Sequence, residues 1–290
     1  MNPIARWRSL MFAPANRHEL LAKFGRCEAD SYVIDLEDGT PVDAKPSARE
    51  QLPQAVAAAR SSPLRGRLLV RINALGTPWG SEDLAAALAC PIDGIVLPKL
   101  ESAEDLQQVD AAAVVAGRPC ETVGGIESLR GLLDIRAAVR GSATLRAVYF
   151  GAEDLATEMG VRRSALGDEV LYARQRVVLA ARAANLAPID QAVTAIRDDE
   201  LFQADGQRGH AFGYAGKICL TPKQAAQANA LFVPSGEEVA HARGLLAAVA
   251  EQQAQGRGVI VFRGQMVDAP LIQRARRVLA EAGEEVSKHG

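Results

Sequence analysis

Short apolar runs rich in β-branched residues alternate along the chain with stretches rich in Ala, Leu and Arg, a pattern typical of βαβ units. Eight of these runs predict strands: RSLMFAP (8–14), SYVIDLED (31–38), RLLVRIN (67–73), GIVLPKL (94–100), VGGIE (123–127), AVYFGAEDL (147–155), NLAPIDQAV (185–193) and GKICLTP (216–222). Eight βα units in about 230 residues favour a closed (β/α)8 barrel of the TIM type. An open doubly wound sheet is the alternative fold.

Helix starts are predicted from side chains that cap a free helical N terminus. Asn16 is predicted to cap a helix over residues 16–25. Ser81, followed by the acidic Glu82 and Asp83, is predicted to begin another helix, because negative charge stabilises a helix N terminus.

The alternation of predicted strands and helices ends before the last part of the chain, which is therefore predicted to form a second unit. We expect a barrel domain over residues 1–235 and a C-terminal appendage over residues 236–290. The appendage sequence predicts a helix (236–255), a strand pair (258–268) and a final helix (270–283). So short a segment is expected to lack a core of its own and to pack on the barrel or on a neighbouring subunit.

Composition limits the class of protein. The chain has 290 residues, a net charge of −2 and a pI near 6.1, so no overall basic character indicates nucleic-acid binding. No apolar run approaches the roughly 20 residues of a membrane span. The four cysteines are widely spaced, which favours reduced thiols. We therefore expect a cytoplasmic protein.

Several of the predicted strands end in charged side chains. Because active sites of (β/α) barrels lie at the C-terminal ends of the strands, these side chains are expected to share one rim. They are Glu37, Asp38, Arg71, Lys99, Glu127, Glu153 and Asp154.

Glu127 and Asp154 lie one repeat apart, at the ends of neighbouring predicted strands. Carboxylate oxygens are the ligands that Mg²⁺ prefers, usually one or two of them with water or substrate. Either acid alone could instead cap the following helix. The pair, each preceded by glycine, favours a metal site that a ligand can approach closely.

Arg71 is suited to a bidentate grip on a substrate carboxylate, or to an ion pair with Glu37 or Asp38. Lys99 leaves open a metal-free aldolase that works through a Schiff base. None of the four histidines follows a predicted strand, which disfavours a Ser-His-Asp triad.

The motifs together resemble one known family, the CitE-like branch of the HpcH/HpaI aldolases, which includes citrate lyase β-subunit-like proteins and malyl-CoA and citramalyl-CoA lyases. The resemblance runs nearly end to end. It rests on RSLMFAPANR (8–17), DSYVIDLEDGTPVDAKPSAR (30–49), VRIN (70–73), GIVLPK (94–99), GGIESLRG (124–131), YFGAEDLATEMG (149–160), GKICLTPKQ (216–224) and GQMVDAP (264–270).

The resemblance implies a TIM-type barrel that binds Mg²⁺ through Glu127 and Asp154. It places Arg71 at the oxygen atoms of a small 2-oxo acid, with Glu37 and Asp38 behind Arg71 and the metal waters.

Further residues of the motifs are expected to take part. Asp268 matches an aspartate that acts as the acid/base in a neighbouring subunit's site, so a homo-oligomer such as a trimer is expected. The residues expected to contact the substrate are Gly151, Ala152 and Glu153, and, at the phosphates of coenzyme A, Arg17 and Lys23.

The chain departs from the family pattern after the eighth strand. Many members read I-H-P where this chain has Leu220, Thr221 and Pro222. This change bears on the choice of substrate and leaves the metal pair untouched.

Three functions are compatible with these residues. The first is a Mg²⁺-dependent lyase of a short 3-hydroxyacyl-CoA thioester, which yields an acyl-CoA and a 2-oxo acid. The second is a citrate-lyase-type β subunit that acts on an acyl group held by a carrier protein. The third is a non-catalytic homologue of the barrel.

Overall fold

The computed structural model describes residues 6–254 and 260–284 of the chain. Eight parallel strands form a closed barrel in sequence order. The strands are β1 Ser9–Pro14, β2 Ser31–Asp35, β3 Arg67–Arg71, β4 Gly94–Leu97, β5 Glu121–Ile126, β6 Leu145–Phe150, β7 Ala187–Asp190 and β8 Gly216–Cys219. The predicted TIM-type barrel is confirmed.

Helices follow the strands around the barrel. They are α1 His18–Leu21, α2 Lys45–Glu50, α3 Leu52–Ala59, α4 Gly80–Leu88, α5 Ala103–Val115, α6 Leu129–Ala138, α7 Ala152–Glu158, α8 Leu171–Ala183, α9 Asp199–Phe212 and α10 Pro222–Leu231. Short 3₁₀ helices occupy Phe24–Arg26, Val42–Ala44 and Asp168–Val170.

The pairing of the first strand with the last excludes the open sheet. Ser9 of β1 lies opposite Lys217 of β8, and Leu10 lies opposite Ile218. An open doubly wound sheet would leave two strand edges unpaired, so that alternative is wrong.

Alternation along the strands separates an interior from a shell. Alternate strand residues fill the barrel with a small apolar cluster, whereas most of the other buried side chains pack between strands and helices. The interior cluster consists of Trp7, Leu10, Phe12, Val33, Leu69, Val96, Val123, Ala147, Tyr149, Ile189 and Ile218. Asp35, two residues after Val33, and Arg71, two residues after Leu69, lie on the same inward faces.

Two predicted helix starts are misplaced. α1 begins at His18, its N-cap position is Arg17 rather than Asn16, and no side chain caps it. α4 begins one residue before Ser81, with Trp79 at the N-cap. In both cases the tertiary fold overrides a local capping preference.

The described residues divide into two compact units, and the boundary along the chain falls between Phe232 and Val233. The C-terminal unit contains α11 Gly236–Ala254, β9 Ile260–Phe262, β10 Gln265–Val267 and α12 Ala269–Glu281. Gln255, Gly258 and Val259, parts of a predicted helix and strand, lie outside the described residues.

The C-terminal unit has a small core of its own, contrary to expectation. The two helices and the hairpin bury Ala242, Leu245, Val249, Val267, Ala275 and Leu279. The hairpin turns at Arg263 and Gly264, whose φ angles of 48° and 80° suit a tight turn between antiparallel strands.

Among the residues that the structure describes, no helix combines the length and apolar character needed to cross a membrane. Cys27, Cys90, Cys120 and Cys219 are free thiols, as predicted.

Candidate active site

The C-terminal ends of β2 and β3 bring Arg71 together with three carboxylates. Asp35 and Arg71 are the last residues of these strands and lie directly opposite each other. Nε and Nη2 of Arg71 donate to the two carboxylate oxygens of Asp35 at 2.7 and 2.6 Å. Nη1 lies 2.7 Å from Glu37 and 3.3 Å from Asp38. The predicted ion pairs are therefore present, together with a stronger one to Asp35.

Asp35 was missed at the sequence level, although a signal for it exists. Strand alternation places it on the inward face after Val33, at the same level as Arg71. The charged end of the predicted strand points instead to Glu37 and Asp38.

The electrostatics of this group keep Arg71 charged. Burial lowers its pKa, but Asp35 and Glu37 outweigh burial and raise the pKa well above the usual value. Burial, with repulsion from Glu127 and Asp38, raises the pKa of Glu37 to about 8 despite the attraction of Arg71. Arg71 thus offers a permanent positive charge at the rim.

Glu127 directly follows β5 and is buried. Its Oε1 accepts hydrogen bonds from the backbone N–H of Lys99 at 2.8 Å and from the hydroxyl of Tyr149 at 3.0 Å. Burial and the charge of Asp154 raise its pKa to about 7, against the effect of Arg71. Within the described residues Oε2 makes no hydrogen bond, so it is the oxygen left for another ligand.

The two glycines near the acids differ in what fills the space beside them. A Cβ at Gly125 would lie 2.3 Å from the hydroxyl oxygen of Tyr149. A Cβ at Gly151 would lie 2.4 Å from Oε2 of Glu127. Space at Gly125 is therefore filled by the tyrosine that supports Glu127, and is not left for a ligand.

Asp154 lies in a helix rather than in the predicted strand. β6 ends at Phe150, and α7 begins at Ala152 with Asp154 in its first turn, where negative charge is favoured. The Asp154 side chain is 35% exposed, and its Oδ1 lies 3.5 Å from Nζ of Lys99.

Lys99 joins the two acids through different atoms, since its N–H contacts Glu127 and its ammonium contacts Asp154. Its φ of 48° is unusual for a residue other than glycine. Burial lowers its pKa, but Asp154, Glu37 and Glu127 outweigh burial and raise it. A Schiff base needs the neutral amine, so this environment disfavours that chemistry.

The acid pair fits a divalent cation of the Mg²⁺ type. Glu127 and Asp154 supply hard oxygen ligands on either side of Lys99, and Mg²⁺ takes its other ligands from water or substrate. Within residues 6–254 and 260–284, no group of three or more His, Cys, Asp or Glu is arranged to hold a metal ion by itself.

Gly151, Ala152, Glu153 and Arg17 follow the C-terminal ends of β6 and β1, whereas Lys23 comes after α1, two residues before Gly25, which lies against Ser62 and Pro63 in the loop before β3. Gly151 is the N-cap residue of α7, Ala152 is buried, and Glu153 pairs with Arg163 at 3.1 Å. Arg17 and Lys23 are exposed after β1, and Arg17 pairs with Glu19.

Two further residues act as helix caps. Oγ1 of Thr221 accepts a hydrogen bond from the N–H of Gln224 at 3.1 Å, at the start of α10. Asp268 lies in the C-terminal unit, exposed, and its Oδ1 accepts from the N–H of Leu271 at 3.2 Å. Its expected action in a neighbouring subunit stays a prediction.

Known proteins resemble this chain over its whole length. The family described as HpcH/HpaI aldolase/citrate lyase matches residues 8–222. A citrate lyase subunit beta-like protein of Deinococcus radiodurans is 40% identical over 96% of this chain and 98% of its own length. An L-malyl-CoA/beta-methylmalyl-CoA lyase of Cereibacter sphaeroides is 31% identical over 95% of this chain and 94% of its own.

The fold also matches a solved structure with ligands. CitE of Mycobacterium tuberculosis, crystallised with magnesium, acetoacetate and coenzyme A, has a TM-score of 0.79 and 31% sequence identity to this chain. The match covers 97% of this chain and 100% of that chain.

Proposed function

Because the chain belongs to the HpcH/HpaI aldolase/citrate lyase family, as its motifs predict, we propose that it is a magnesium-dependent carbon–carbon lyase. Its substrate is a short 3-hydroxyacyl-CoA thioester, which it cleaves to an acyl-CoA and a 2-oxo acid. One observation carries this proposal. Glu127 and Asp154 both contact Lys99, at the rim where Arg71 also lies.

Glu127 and Asp154 would hold the magnesium ion. When bound, the ion supplies Lewis acidity to the carboxylate and carbonyl oxygens of the 2-oxo acid. The structure of Mycobacterium tuberculosis CitE with magnesium supports this cofactor.

Arg71 binds the carboxylate of the 2-oxo acid portion and stabilises negative charge that develops on oxygen. Asp35 holds one edge of its guanidinium, so the N–H groups of the other edge, near Glu37 and Asp38, are the ones offered to the substrate. Glu37 and Asp38 orient that edge, while Gly151, Ala152 and Glu153 line the site.

In the cleavage direction the hydroxyl loses its proton to solvent water and becomes the new carbonyl. The electrons of the broken C–C bond form the thioester enolate, which takes a proton on carbon. We assign that proton transfer to Asp268 of a neighbouring subunit. Arg17 and Lys23 are assigned to the phosphates of coenzyme A.

The purified chain should release a 2-oxo acid from malyl-CoA or citramalyl-CoA in the presence of Mg²⁺. EDTA should abolish the reaction, and added Mg²⁺ should restore it. Activity that survives EDTA, with trapping of the substrate on Lys99 by borohydride, would replace this proposal with a Schiff-base aldolase.

The citrate-lyase-type β subunit is a second candidate, favoured by the similarity to the Deinococcus radiodurans protein. It predicts that the isolated chain is inactive on free CoA thioesters and active on an acyl group attached to a carrier protein. Comparing the two forms of one acyl group separates the candidates. Inactivity on both forms would favour the non-catalytic homologue.

A further inference from the structure

A buried lysine contacts the segment that carries Glu37 and Asp38. Lys45, the first residue of α2, is only 6% exposed. Its Nζ donates to the backbone carbonyl oxygens of Leu36 at 3.0 Å and Glu37 at 2.8 Å, and to Oδ1 of Asn73 at 2.7 Å. An ammonium has three N–H donors, so each of them has one partner.

Asn73 is itself held in place. Its Nδ2 donates to the carbonyl oxygen of Leu36 at 3.0 Å and to Oδ2 of Asp83 at 2.6 Å. Its backbone N–H donates to the same oxygen of Asp83 at 3.1 Å. The ends of β2 and β3 are therefore joined through Lys45 and Asn73.

These contacts determine where the acidic side chains point. Since peptide groups are planar, holding the carbonyls of Leu36 and Glu37 orients two successive peptide planes and the residues between them. From the other side, Asp35 accepts the N–H groups of Glu37 at 2.9 Å and Gly39 at 2.8 Å. The turn is thus held through its carbonyls by Lys45 and through its amides by Asp35.

Resting on the lyase function proposed above, we propose that Lys45 is a positioning residue, which acts through the backbone to orient Glu37 and Asp38 against Arg71. The described hydrogen bonds of the Lys45 ammonium go to Leu36, Glu37 and Asn73, whereas Glu127, a proposed metal ligand, accepts from Lys99 and Tyr149. Loss of the Lys45 ammonium is therefore expected to disturb the arrangement of Glu37 and Asp38 around Arg71. It should leave Mg²⁺ binding by Glu127 and Asp154 unchanged.

The test compares Lys45→Met with Arg60→Met. Arg60 directly follows α3 and contacts the carbonyl oxygen of Pro91 at 3.0 Å and the carboxylate of Asp93 at 3.2 Å, just before β4 and outside the contacts of Lys45, Asn73 and Asp83. We expect Lys45→Met to lower kcat by about 10–100-fold, as loss of supporting contacts to active-site ligands typically does. The Kd for Mg²⁺ should stay within about twofold of wild type. Arg60→Met should keep the wild-type kcat.

Hydrogen exchange measured on peptides spanning residues 35–41 provides a readout that does not need turnover. The N–H groups of Glu37, Gly39 and Thr40 are hydrogen bonded within the turn and should exchange faster in Lys45→Met only. If Lys45→Met does not fold, Lys45→Arg is used for the same measurements. A guanidinium keeps the positive charge but cannot donate from one nitrogen to the three acceptors of the Lys45 ammonium.

Wild-type kcat and wild-type exchange in the Lys45 variant would overturn the proposal, even with a lowered Tm. An equal loss of Mg²⁺ affinity would overturn it too. If the wild-type chain cleaves no thioester, the lyase function fails, whereas the exchange measurement still decides whether Lys45 holds the turn.

Discussion

Asp35 and Arg71 end neighbouring strands, lie directly opposite each other, and form two parallel hydrogen bonds of 2.7 and 2.6 Å inside the barrel mouth. Such a bidentate pair fixes the plane of the guanidinium as well as its position. The orientation of the Arg71 guanidinium, which we propose to bind the substrate, thus depends on the buried carboxylate of Asp35.

Asp35→Asn is expected to lower kcat/KM by about 100-fold, because a small misplacement of a positioned group has an effect of that order. Steady-state kinetics measures the change, and an unaltered Kd for Mg²⁺ shows that the rest of the rim is intact. Glu121→Gln is the control, since it weakens a similar pair with Arg67 (2.7 Å) at the opposite end of the barrel. Equal losses in the two variants would contradict the role of Asp35.

Tyr149→Phe is expected to weaken Mg²⁺ binding by about 10–100-fold, because it removes a hydrogen bond that orients Glu127, a proposed metal ligand. Titration of the metal by calorimetry measures the Kd directly. Tyr214→Phe is a matched control, since this buried hydroxyl donates to the carbonyl of Arg174 at 2.8 Å and, among the described residues, makes no hydrogen bond to Glu127, Asp154 or Arg71. An unchanged Kd in Tyr149→Phe would show that the backbone N–H of Lys99 is sufficient.

Asp268→Asn is expected to reduce turnover by about 10²–10⁴-fold while it keeps Mg²⁺ and 2-oxo acid binding. Asparagine caps a helix about as well as aspartate, so α12 should be preserved. Asp198→Asn makes the same change at the exposed N-cap of α9 and should leave turnover unaltered. Full turnover in the purified Asp268 variant would remove this residue from the mechanism.

Asp205→Asn is expected to change the pH dependence of stability. Burial raises the pKa of Asp205, but Lys217 and Arg174 outweigh burial, and the net pKa is lowered. A carboxylate with a lowered folded pKa stabilises the fold above its unfolded pKa of about 3.9, and this contribution is lost as pH falls through the folded pKa.

At about pH 7 the Asp205 variant should therefore be less stable, by roughly 3–5 kcal/mol, because two buried cations lose a partner. The difference from wild type should shrink as the pH falls below about 4. Urea unfolding at several pH values measures it. Asp168→Asn is the control, since that side chain is 68% exposed and 3.5 Å from Arg208, and little change is expected. A pH-independent difference for Asp205→Asn would contradict the assignment.

Much of the architecture could be predicted because its signals are local. Alternating apolar residues define strands, and the repetition of strands with helical segments defines βα units. These patterns can be recognised without knowing which distant residues come into contact. The rule that parallel strands share one functional rim predicts that Arg71, Glu127 and Asp154 lie at the same end of the barrel.

Helix boundaries and the support of the site depended on the tertiary structure. α7 begins at Ala152, so Asp154 lies in a helix and not in the predicted strand. α1 begins at His18, with Arg17 rather than Asn16 at its N-cap. The glycine at 125 is explained only by a tyrosine on the next strand.

The sequence by itself determined the barrel, the family and the charges at its rim, since these follow from short-range periodicity and contiguous motifs. The tertiary structure decided that Asp35 holds Arg71, that Tyr149 holds Glu127, and that Lys45 contacts Asn73. These pairs are 36, 22 and 28 residues apart. Closure of the barrel sets the register between strands, and a register between distant segments leaves no local pattern in either of them.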